Sequence, residues 1–426
     1  MEDKRNTLKE KKKKNKRFPY KKGGRNRTIK YKLNPTREQE GHLHNICSIA
    51  TKLYNTDNYQ RRKVWEETGK IPSVYTQKKL LKDNVWFKLL PSQTAQEVSF
   101  TLQRNYNSWF KLRKKDKTAN PPMFRRKEML SPITFYQQFK IINNQIKLSV
   151  SRKYKEEKGI KSLEIGFDLW RENKGIAKMC QIIFNKGEWF AHVVYEIAEP
   201  KIELNNKVMA VDLGIINTAV TRDNKGNSTI HSGKGILSVQ HYFNSRKARV
   251  QGKLNLQFPK RHKSKTLNNI NLKQKRQITQ MLHTISKNII EEATRNDVKT
   301  IVVGDLTDIR KDKHFRKVTS QKLHSWSFSK LTQQIEYKAI LSGIRFVRVN
   351  EKDTSKTCSC CGTIRKSNRI TRGMYKCKYC GSVKNADVNG ASNILKKYLQ
   401  LFPMENRSIG NVAMPLVSRI TNVIPR

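Results

Sequence analysis

The sequence predicts an α/β fold with a mixed sheet in the C-terminal half and a β-rich module with inserted helices in the N-terminal half. From "KVMAVDLGIINTAVTRDNKGN" onward, two strands, a hairpin turn at "DNKGN", a long helical region and the strand "IVVGDL" follow one another. Strands that alternate with helices favour an α/β layer. Before that point, "MCQIIFNKGEWFAHVVYEI" has the composition of a β-meander that turns at "NKGE".

The N-terminal half begins with residues 1–27, whose near lack of apolar side chains predicts a disordered basic arm. A strand over Thr28–Leu33 follows, and then a helix with Thr36 as N-cap. Apolar residues recur at helical spacing as far as Asn107. The paired prolines of "NPPMFRRK" end that pattern, and a second meander, with a turn at "NNQ", comes next.

The charge balance indicates nucleic acid as the partner. The 426 residues hold 88 Lys and Arg against 34 Asp and Glu, a formal net charge of +54. Repulsion between so many like charges opposes a compact fold unless a polyanion neutralises them. Nucleic acid is a suitable polyanion, because each contact between a basic residue and a phosphate releases a counterion and so favours binding. A generic basic protein or a membrane-surface binder would share this balance, but nucleic acid fits the charge criteria best. The basic helical segment 244–277 almost lacks acids and is predicted to lie along a phosphate backbone.

The location of the protein is predicted from two patterns. No apolar run approaches the roughly 18 residues of a membrane span, and no secretory signal begins the chain. Five of the seven cysteines crowd into residues 358–380, which is typical of a metal site in a reducing compartment. We therefore expect no membrane partner and a cytoplasmic, nucleoid-associated protein, or a nuclear one in a eukaryotic host.

Four of those cysteines have the spacing of a zinc ribbon. Cys358 and Cys361 form one C-x-x-C pair and Cys377 and Cys380 another, with fifteen residues between the pairs. Gly362 and Gly381 follow the pairs and let each knuckle turn. The pattern predicts one structural Zn²⁺ held by four thiolates, with Cys360 as a surplus thiol.

Two aspartates stand at predicted element ends. Asp212 lies in the apolar strand "VMAVDLG", where a charge is costly to bury unless a cation meets it or turn N–H groups satisfy it. Asp387 lies in "NADVNGASNIL", where a helix begins, and an aspartate there is commonly an N-cap. Taken alone, Asp212 does not separate a metal ligand from a structural role, and Asp387 alone favours the N-cap.

The order of these pieces resembles a known family. Residues 205–395, with "VDLGIINTAV", "IVVGDLTDIR", "DTSKTCSCCG", "YKCKYCG" and "NADVNGASNIL", resemble the RuvC-like half of TnpB proteins. These are transposon-encoded RNA-guided endonucleases related to type V CRISPR effectors and to Fanzor proteins. The resemblance implies an RNase H-like fold in which three carboxylates hold two Mg²⁺ or Mn²⁺ ions and cut DNA, and it assigns Asp212 and Asp387 to the first and last carboxylates.

The middle carboxylate departs from the family pattern. The family has a glutamate before Asp-Leu at the end of the buried strand, and this chain has Gly304 there. Asp305 is a second choice, because neighbouring strand residues point to opposite faces, and its commoner use is to fix a turn. Glu336 borders the apolar stripe of a predicted helix and is our first choice as the third ligand. Its alternative is an exposed glutamate paired with Lys330, with Lys338 or with solvent.

Aromatic residues in the N-terminal half leave two interpretations. Lysines and arginines are interleaved with Tyr54, Trp65, Trp86, Phe87 and Trp109. Such rings stack on bases in single-strand binders, but packing in a core is the commoner use.

The resemblance also predicts the domain order. The arm (1–27) precedes a wedge-type β-barrel (28–50 and 121–204) with an inserted helical recognition domain (51–120). The RuvC-like nuclease domain (205–353 and 382–401) holds an inserted zinc ribbon (354–381), and a tail (402–426) follows.

The expected function is cleavage of double-stranded DNA beside a short flanking motif, by a monomer bound to guide RNA from its own locus. Two alternatives stay open. One is a nuclease-inactive, RNA-guided DNA-binding repressor, which the glycine at 304 favours. The other is a structural RNA-binding zinc-ribbon protein, which the motifs around the two aspartates disfavour.

Overall fold

The computed structural model describes residues 24–168, 175–198, 200–259, 264–306, 328–402 and 415–419. The chain divides into two compact units, Met1–Ala198 and Glu199–Arg426. Across those described ranges, no helix combines the length and the apolar character that a membrane span requires.

The first unit joins a seven-stranded antiparallel sheet to a group of helices in one hydrophobic core. Its strands are β1 Gly24–Asn34, β2 Ile133–Phe135, β3 Phe139–Ile142, β4 Gln145–Ser149, β5 Ser162–Phe167, β6 Ile176–Asn185 and β7 Glu188–Ala198. Its helices are α1 Arg37–Thr68, α2 Val74–Leu81, α3 Val85–Lys88, α4 Ser92–Arg113 and α5 Arg152–Lys158.

Local sequence explains the ends of these elements. Thr36 caps α1 in a capping box with Gln39, as predicted for the N-cap. Asn143 and Asn144 take φ values of 46° and 59° in the β3–β4 turn, and Lys186 takes 58° in the β6–β7 turn. Such turns match the right-handed twist of the strands, so both predicted hairpins are present.

The predicted boundaries in this unit need correction. β1 begins at Gly24, so residues 24–27 belong to the sheet, whereas residues 1–23 of the predicted arm lie outside the described residues. α1 is continuous from Arg37 to Thr68, so the proposed boundary at residue 50 falls inside a helix. In the sheet order β2-β6-β7-β1-β5-β4-β3, strands β2 and β3 stand at the ends, and closure into a barrel stays a prediction.

The second unit contains the predicted mixed sheet, in the order β12-β11-β8-β9-β10-β15. Its strands are β8 Val208–Leu213, β9 Asn217–Asp223, β10 Ser228–Ser232, β11 Thr300–Asp305, β12 Arg345–Asn350 and β15 Leu416–Ser418, and a separate hairpin pairs β13 Met374–Lys376 with β14 Val383–Asn385. Its helices are α6 Lys234–Gln257, α7 Lys265–Arg295, α8 Phe328–Leu341 and α9 Ala386–Leu401.

Helices cover both faces of this sheet, and strand alternation decides which residue meets which helix. On β8, Met209 and Val211 pack with α7 and α8. The intervening Val208 and Ala210 pack with α9. We call these two sides the α8 face and the α9 face. The strands are apolar on both sides because both sides are buried.

The segment after α9 also joins the sheet. β15 pairs in parallel with β10, with Ile230 opposite Val417. The predicted tail therefore contributes an edge strand to the second unit.

Candidate active site

Asp212 stands near the end of β8 and belongs to the α9 face by strand alternation. Its cross-strand partner Val220 packs on Val388 and Ala391 of α9, which fixes that side. Gly390 of α9 lies against the Asp212 carboxylate so closely that a Cβ at residue 390 would overlap it. The glycine in "ADVNG" is therefore explained by the space that Asp212 needs.

Glu351 is the second carboxylate of the site, and sequence reasoning missed it. It directly follows β12, the strand that pairs in parallel with β11. A Cβ built at Gly304 would lie 2.9 Å from both Cδ and Oε2 of Glu351. The glutamate of β12 thus occupies the space where a side chain at position 304 would project. Glu351 Oε2 is buried and has no hydrogen-bond partner among the described residues.

Asp387 is the third carboxylate, in the first turn of α9. Asn385 is the N-cap, and its side chain accepts from the N–H groups of Asp387 and Val388. The alternative role of Asp387 as N-cap is therefore wrong. Asn217 Nδ2 donates to Asp387 Oδ2 at 2.7 Å, and Arg369 donates to Oδ1 at 3.0 Å. The Asp387 side chain is 23% exposed, so it faces solvent while both of its oxygens are held.

The three carboxylates influence one another electrostatically. Burial, followed by the negative charges of Glu351 and Asp387, raises the pKa of Asp212 well above its ordinary value, and the nearby Arg369 opposes the rise. Burial also raises the pKa of Glu351, with a further contribution from the charge of Asp305. Carboxylates placed this closely repel one another unless protons or cations are bound between them.

The prediction for Glu336 needs correction. It lies on α8, whose residues Leu331 and Ile335 pack on the face of the sheet opposite to Asp212. Its carboxylate accepts from Arg348 of β12 at 2.6 Å, and both side chains are more than a third exposed. Glu336 is therefore a surface ion-pair residue, and its partner is neither Lys330 nor Lys338.

Asp305 ends β11 opposite Asn350 and is exposed. By alternation it shares the α8 face with Val303, as the sequence argument held, so it points away from the side on which Asp212 and Glu351 meet. The turn "TDIR" that it was expected to stabilise lies outside the described residues.

A strand-end pattern in the sequence could have identified Glu351. The run "RFVRVNE" combines an aromatic residue with two β-branched valines, as strands do, and ends in an acid. In a parallel arrangement, the carboxyl ends of neighbouring strands meet at one edge of the sheet. Asp212, residue 304 and Glu351 all stand at that edge in three adjacent strands.

The four predicted zinc ligands are together. The Sγ atoms of Cys358, Cys361, Cys377 and Cys380 all lie within 4.8 Å of one another. Two of the separations are 3.7 and 3.6 Å, and sulfurs at tetrahedral corners around zinc, with Zn–S of about 2.3 Å, would be roughly 3.8 Å apart. Gly362 and Gly381 take φ values of 79° and 71°, as the knuckle turns require. Cys360 is exposed and outside the group.

Two buried asparagines connect the zinc ribbon to the carboxylate helix. Asn389 of α9 donates to Thr357 O at 2.8 Å and accepts from Ser359 N at 2.9 Å. Asn393, one turn later, donates to the backbone oxygens of Thr354 and Thr357. These contacts hold the ribbon beside the start of α9. Arg369, which belongs to the ribbon, donates to Asp387 from there.

The aromatic residues of the first unit pack in or against its core and are not displayed on the surface for stacking on bases. Tyr54, Phe87 and Trp109 are buried in its core, and Trp65 and Trp86 pack against that core. Basic groups lie over several of these rings, as Lys52 does over Trp86 and Arg125 over Tyr54. Core packing is therefore the interpretation that the structure supports.

Two family models match segments between residues 192 and 394. Residues 192–310 match the model described as a probable transposase, and residues 328–394 match the Cas12f1-like TNB domain. The second match covers α8, β12, the ribbon and the first half of α9.

Three curated relatives are similar in sequence. A TnpB-like protein of Methanocaldococcus jannaschii is 33% identical over 200 residues, which cover 45% of this chain and 68% of the relative. The putative RNA-guided DNA endonuclease InsQ of Escherichia coli strain K12 is 23% identical over 86% of this chain and 91% of its own. The CRISPR-associated endodeoxyribonuclease Cas12f1 of Sulfoacidibacillus thermotolerans is 38% identical over 26% of this chain, and the match spans only 25% of that relative.

One solved structure is similar across nearly the whole fold. The protein chain in a cryo-EM structure of a Cas12f1–sgRNA–target DNA complex aligns with a TM-score of 0.62 at 14% identity. The alignment covers 87% of this chain and 98% of that one. The chain accordingly shares the fold of that Cas12f1 chain.

Proposed function

Because this chain belongs to the TnpB family, we propose that it is an RNA-guided DNA endonuclease whose catalytic carboxylates are Asp212, Glu351 and Asp387. The observation that carries the proposal is the convergence of these three carboxylates on the α9 face. There Gly304 leaves room for Glu351, and Gly390 leaves room for Asp212. Relatives named as RNA-guided or CRISPR-associated DNA endonucleases support the same reaction class.

The residues of the site fit divalent cations. Oxygen ligands from carboxylates are what Mg²⁺ and Mn²⁺ bind, and the buried Glu351 Oε2 meets no hydrogen-bond donor in the part of the chain that the structure describes. When bound between such carboxylates, a pair of metal ions activates water and stabilises the leaving oxygen of a phosphodiester. Asp212, Glu351 and Asp387 would hold the ions.

The neighbouring groups prepare this site. Asn217 and Arg369 hold the two oxygens of Asp387, so its carboxylate keeps one orientation at the mouth of the cluster. The Arg369 guanidinium offsets part of the negative charge there, and guanidinium groups bind phosphate oxygens well. Zn²⁺ held by the four cysteines would fix the ribbon that carries Arg369.

The partners follow from charge and from the relatives. Guide RNA and double-stranded DNA suit a chain of net charge +54, and base pairing would supply the sequence specificity. This proposal includes cleavage of the target DNA beside a short flanking motif and a guide RNA transcribed from the protein's own locus. It also includes a monomeric protein in the complex and a cytoplasmic location.

The experiment combines the purified protein, its transcript-derived guide, matched DNA and Mg²⁺. Glu351→Gln is expected to lower the cleavage rate by at least about a hundredfold, since losing even a supporting partner of a metal ligand costs about 10- to 100-fold. Glu336→Gln makes the same chemical change at a surface ion pair and is expected to leave the rate within about twofold.

The nuclease-inactive repressor would give a different result. In that case the wild-type protein would bind matched DNA tightly with its guide and leave both strands intact. Loss of cleavage in Glu336→Gln with retention in Glu351→Gln would overturn the assignment of the third carboxylate.

A further inference from the structure

Glu351 lies just outside the sheet, in a turn that follows β12. The pairing of β11 with β12 ends at Asp305 and Asn350, and β12 stands at one end of the described sheet order. Asp212, by contrast, lies within β8, which pairs with β9 on one side and β11 on the other. Sheet pairing therefore fixes the backbone of Asp212, whereas the backbone of Glu351 needs other contacts to hold it.

The turn over residues 350–354 is closed by hydrogen bonds of its own. Asn350 Oδ1 accepts from Lys352 N at 2.8 Å. The backbone oxygen of Glu351 accepts from Thr354 N at 3.2 Å and from Thr354 Oγ1 at 2.9 Å. These bonds shape the turn, but they join only its own residues, so they do not set its position relative to β8.

Lys397 of α9 connects this turn to the rest of the site. Its ammonium donates to the backbone oxygen of Asn350 at 3.3 Å and to that of Lys352. These two residues stand directly before and after Glu351 in the sequence. The helix that carries the third carboxylate therefore also holds the backbone on both sides of the second one.

Asn393 adds a contact to the same turn from one helical turn earlier. Its side chain donates to Thr354 O at 2.8 Å, and also to Thr357 O in the ribbon. Lys397, in contrast, contacts only the backbone next to Glu351 within the described residues. It is therefore the cleaner probe of how the turn is held.

We propose that Lys397 is a positioning residue for Glu351, and that by holding the backbone on both sides of Glu351 it sets the affinity of the carboxylate cluster for divalent cations. The inference rests on the proposed function, because it takes Glu351 as a metal ligand. Partners that orient a metal ligand contribute about 10- to 100-fold to metal affinity or activity. Since the ammonium donates to two carbonyl groups, it leaves the carboxylate oxygens available to a cation.

The charge and the hydrogen bonds of Lys397 predict opposite effects on metal binding. A positive charge beside the cluster repels a divalent cation, so loss of the charge alone would tighten metal binding. Loss of the hydrogen bonds would release the turn, let the Glu351 carboxylate move away from Asp212 and weaken metal binding. The sign of the change therefore separates positioning from electrostatics.

The test measures Mn²⁺ binding to the zinc-loaded full chain without nucleic acid, since phosphates would bind the ion as well. Lys397→Met removes the ammonium and keeps a side chain of similar length. It is expected to raise the Mn²⁺ dissociation constant by about tenfold, measured from the electron paramagnetic resonance signal of free Mn²⁺. Lys396→Met is the matched control, because it removes the same charge from the next residue of α9. Lys396 makes no side-chain hydrogen bond or ion pair within the described ranges, so the constant should stay within about twofold.

A double variant tests whether Lys397 acts through Glu351. Once Glu351→Gln is present, Lys397→Met should weaken Mn²⁺ binding no further, because the ligand that Lys397 orients is gone. A side chain that only stabilised the fold would lower the melting temperature in both backgrounds. It would change Mn²⁺ binding by the same factor in both, or in neither.

Cleavage by the guide-loaded protein gives a second measurement. In Lys397→Met the half-saturating Mg²⁺ concentration should rise by about tenfold, while the rate at saturating Mg²⁺ stays within about threefold of the wild-type rate. Loss of folded protein would instead lower the rate at every Mg²⁺ concentration and leave the half-saturating concentration unchanged.

Four results would overturn the inference: wild-type Mn²⁺ affinity in Lys397→Met, tighter binding in that variant, equal weakening by Lys396→Met, or the same weakening with and without Glu351→Gln. None of them touches the nuclease proposal as long as Glu351→Gln itself weakens Mn²⁺ binding and lowers cleavage. A Glu351→Gln protein that binds Mn²⁺ and cuts DNA like the wild type would overturn the proposed third carboxylate and this inference together.

Discussion

Relative to the family pattern, the glutamate of the site has moved between neighbouring strands. The position at the end of β11 where the family has a glutamate is Gly304, and the glutamate of this chain, Glu351, follows β12. In this chain β11 supplies the empty space and β12 supplies the carboxylate, and the two positions lie on the same face at the same sheet edge. A glutamate at 304 would therefore project into the region that Glu351 now fills. The site needs one carboxylate there, and the backbone of either strand could provide it.

This exchange predicts rescue by a double variant. Gly304→Glu alone should lose cleavage, because two glutamates cannot share the space, and Glu351→Ala alone should lose it for want of a ligand. Gly304→Glu/Glu351→Ala should recover at least about tenfold over Glu351→Ala, since one carboxylate is restored. Guide-dependent cleavage rates at several Mg²⁺ concentrations measure this. A double variant that folds, as judged by its melting temperature, but cuts no better than Glu351→Ala would contradict the exchange.

Glu292 of α7 is a buried carboxylate outside the candidate active site, and it serves stability. Its side chain is 8% exposed and accepts from Thr221 Oγ1 at 2.8 Å, and His231 Nε2 lies 3.4 Å away. Burial alone would raise its pKa, but the neighbouring His231 and the hydrogen bond from Thr221 outweigh burial and hold the pKa below the ordinary 4.5. The unfolded chain therefore binds a proton more readily than the folded one in this pH range.

Glu292→Gln should consequently lower the free energy of unfolding at pH 7 by about 1.5–3 kcal/mol, the contribution of hydrogen bonds to a charged group. The wild-type contribution is present above pH 4.5 and is lost as the pH falls through the lower, folded-state pKa. The variant should therefore lose less stability over that acid range, as measured by urea unfolding. Glu291→Gln is the matched control, because Glu291 is 60% exposed, pairs with Lys287 and should change stability by less than about 0.5 kcal/mol.

Strand alternation explains which residues of the site the sequence could predict. The β8 pattern put Asp212 on a buried strand, and alternation at β11 placed Asp305 on the other face. Glu336 was misassigned because an apolar stripe shows which side of a helix packs, but not which face of the sheet that helix covers. That choice depends on the chain path between β11 and β12, which local sequence does not encode.

At the scale of elements, α9 does the most to organise the second unit. Along one helix, Asp387 faces the carboxylates, Gly390 makes room for Asp212, and Asn389 and Asn393 hold the ribbon. The motif "NADVNGASN" thus combines the cap Asn385, the proposed metal ligand Asp387, the spacer Gly390 and the two ribbon contacts Asn389 and Asn393. The spacing of the cysteines predicted the ribbon well, because metal geometry constrains sequence directly. The asparagine contacts join distant segments, and local sequence gave no sign of them.

Gly390→Ala tests the spacer. Alanine favours a helix over glycine by about 1 kcal/mol, yet its Cβ would overlap the Asp212 carboxylate and displace it. We expect a loss of cleavage of at least about tenfold without loss of fold, measured by cleavage rate and circular dichroism. Gly41→Ala is the control, because residue 41 lies in α1 and a Cβ there meets nothing within 4 Å. It should stabilise the protein slightly and leave cleavage unchanged, and equal cleavage by both variants would contradict the spacer role.

The whole molecule is dominated by its charge. Residues 224–290, which include most of α6 and α7, contain no Asp or Glu at all. In a chain of net charge +54, repulsion between like charges destabilises the compact state, and a bound polyanion relieves that repulsion. The folded state, which presents these charges on fixed surfaces, should bind the polyanion more tightly than the unfolded chain does. Stability should then depend on polyanion concentration and on salt together.

Heparin, a polyanion without bases, should therefore raise the melting temperature at low salt. At a hundred times its dissociation constant, a ligand specific for the folded state stabilises by about 2.7 kcal/mol. The shift should shrink toward zero near 1 M NaCl, where the screening length falls to about 3 Å. Thermal melts with heparin across a salt series, and with neutral dextran as the control, measure this. A shift that survives high salt, or one that dextran reproduces, would show that charge neutralisation is not the source of the stabilisation.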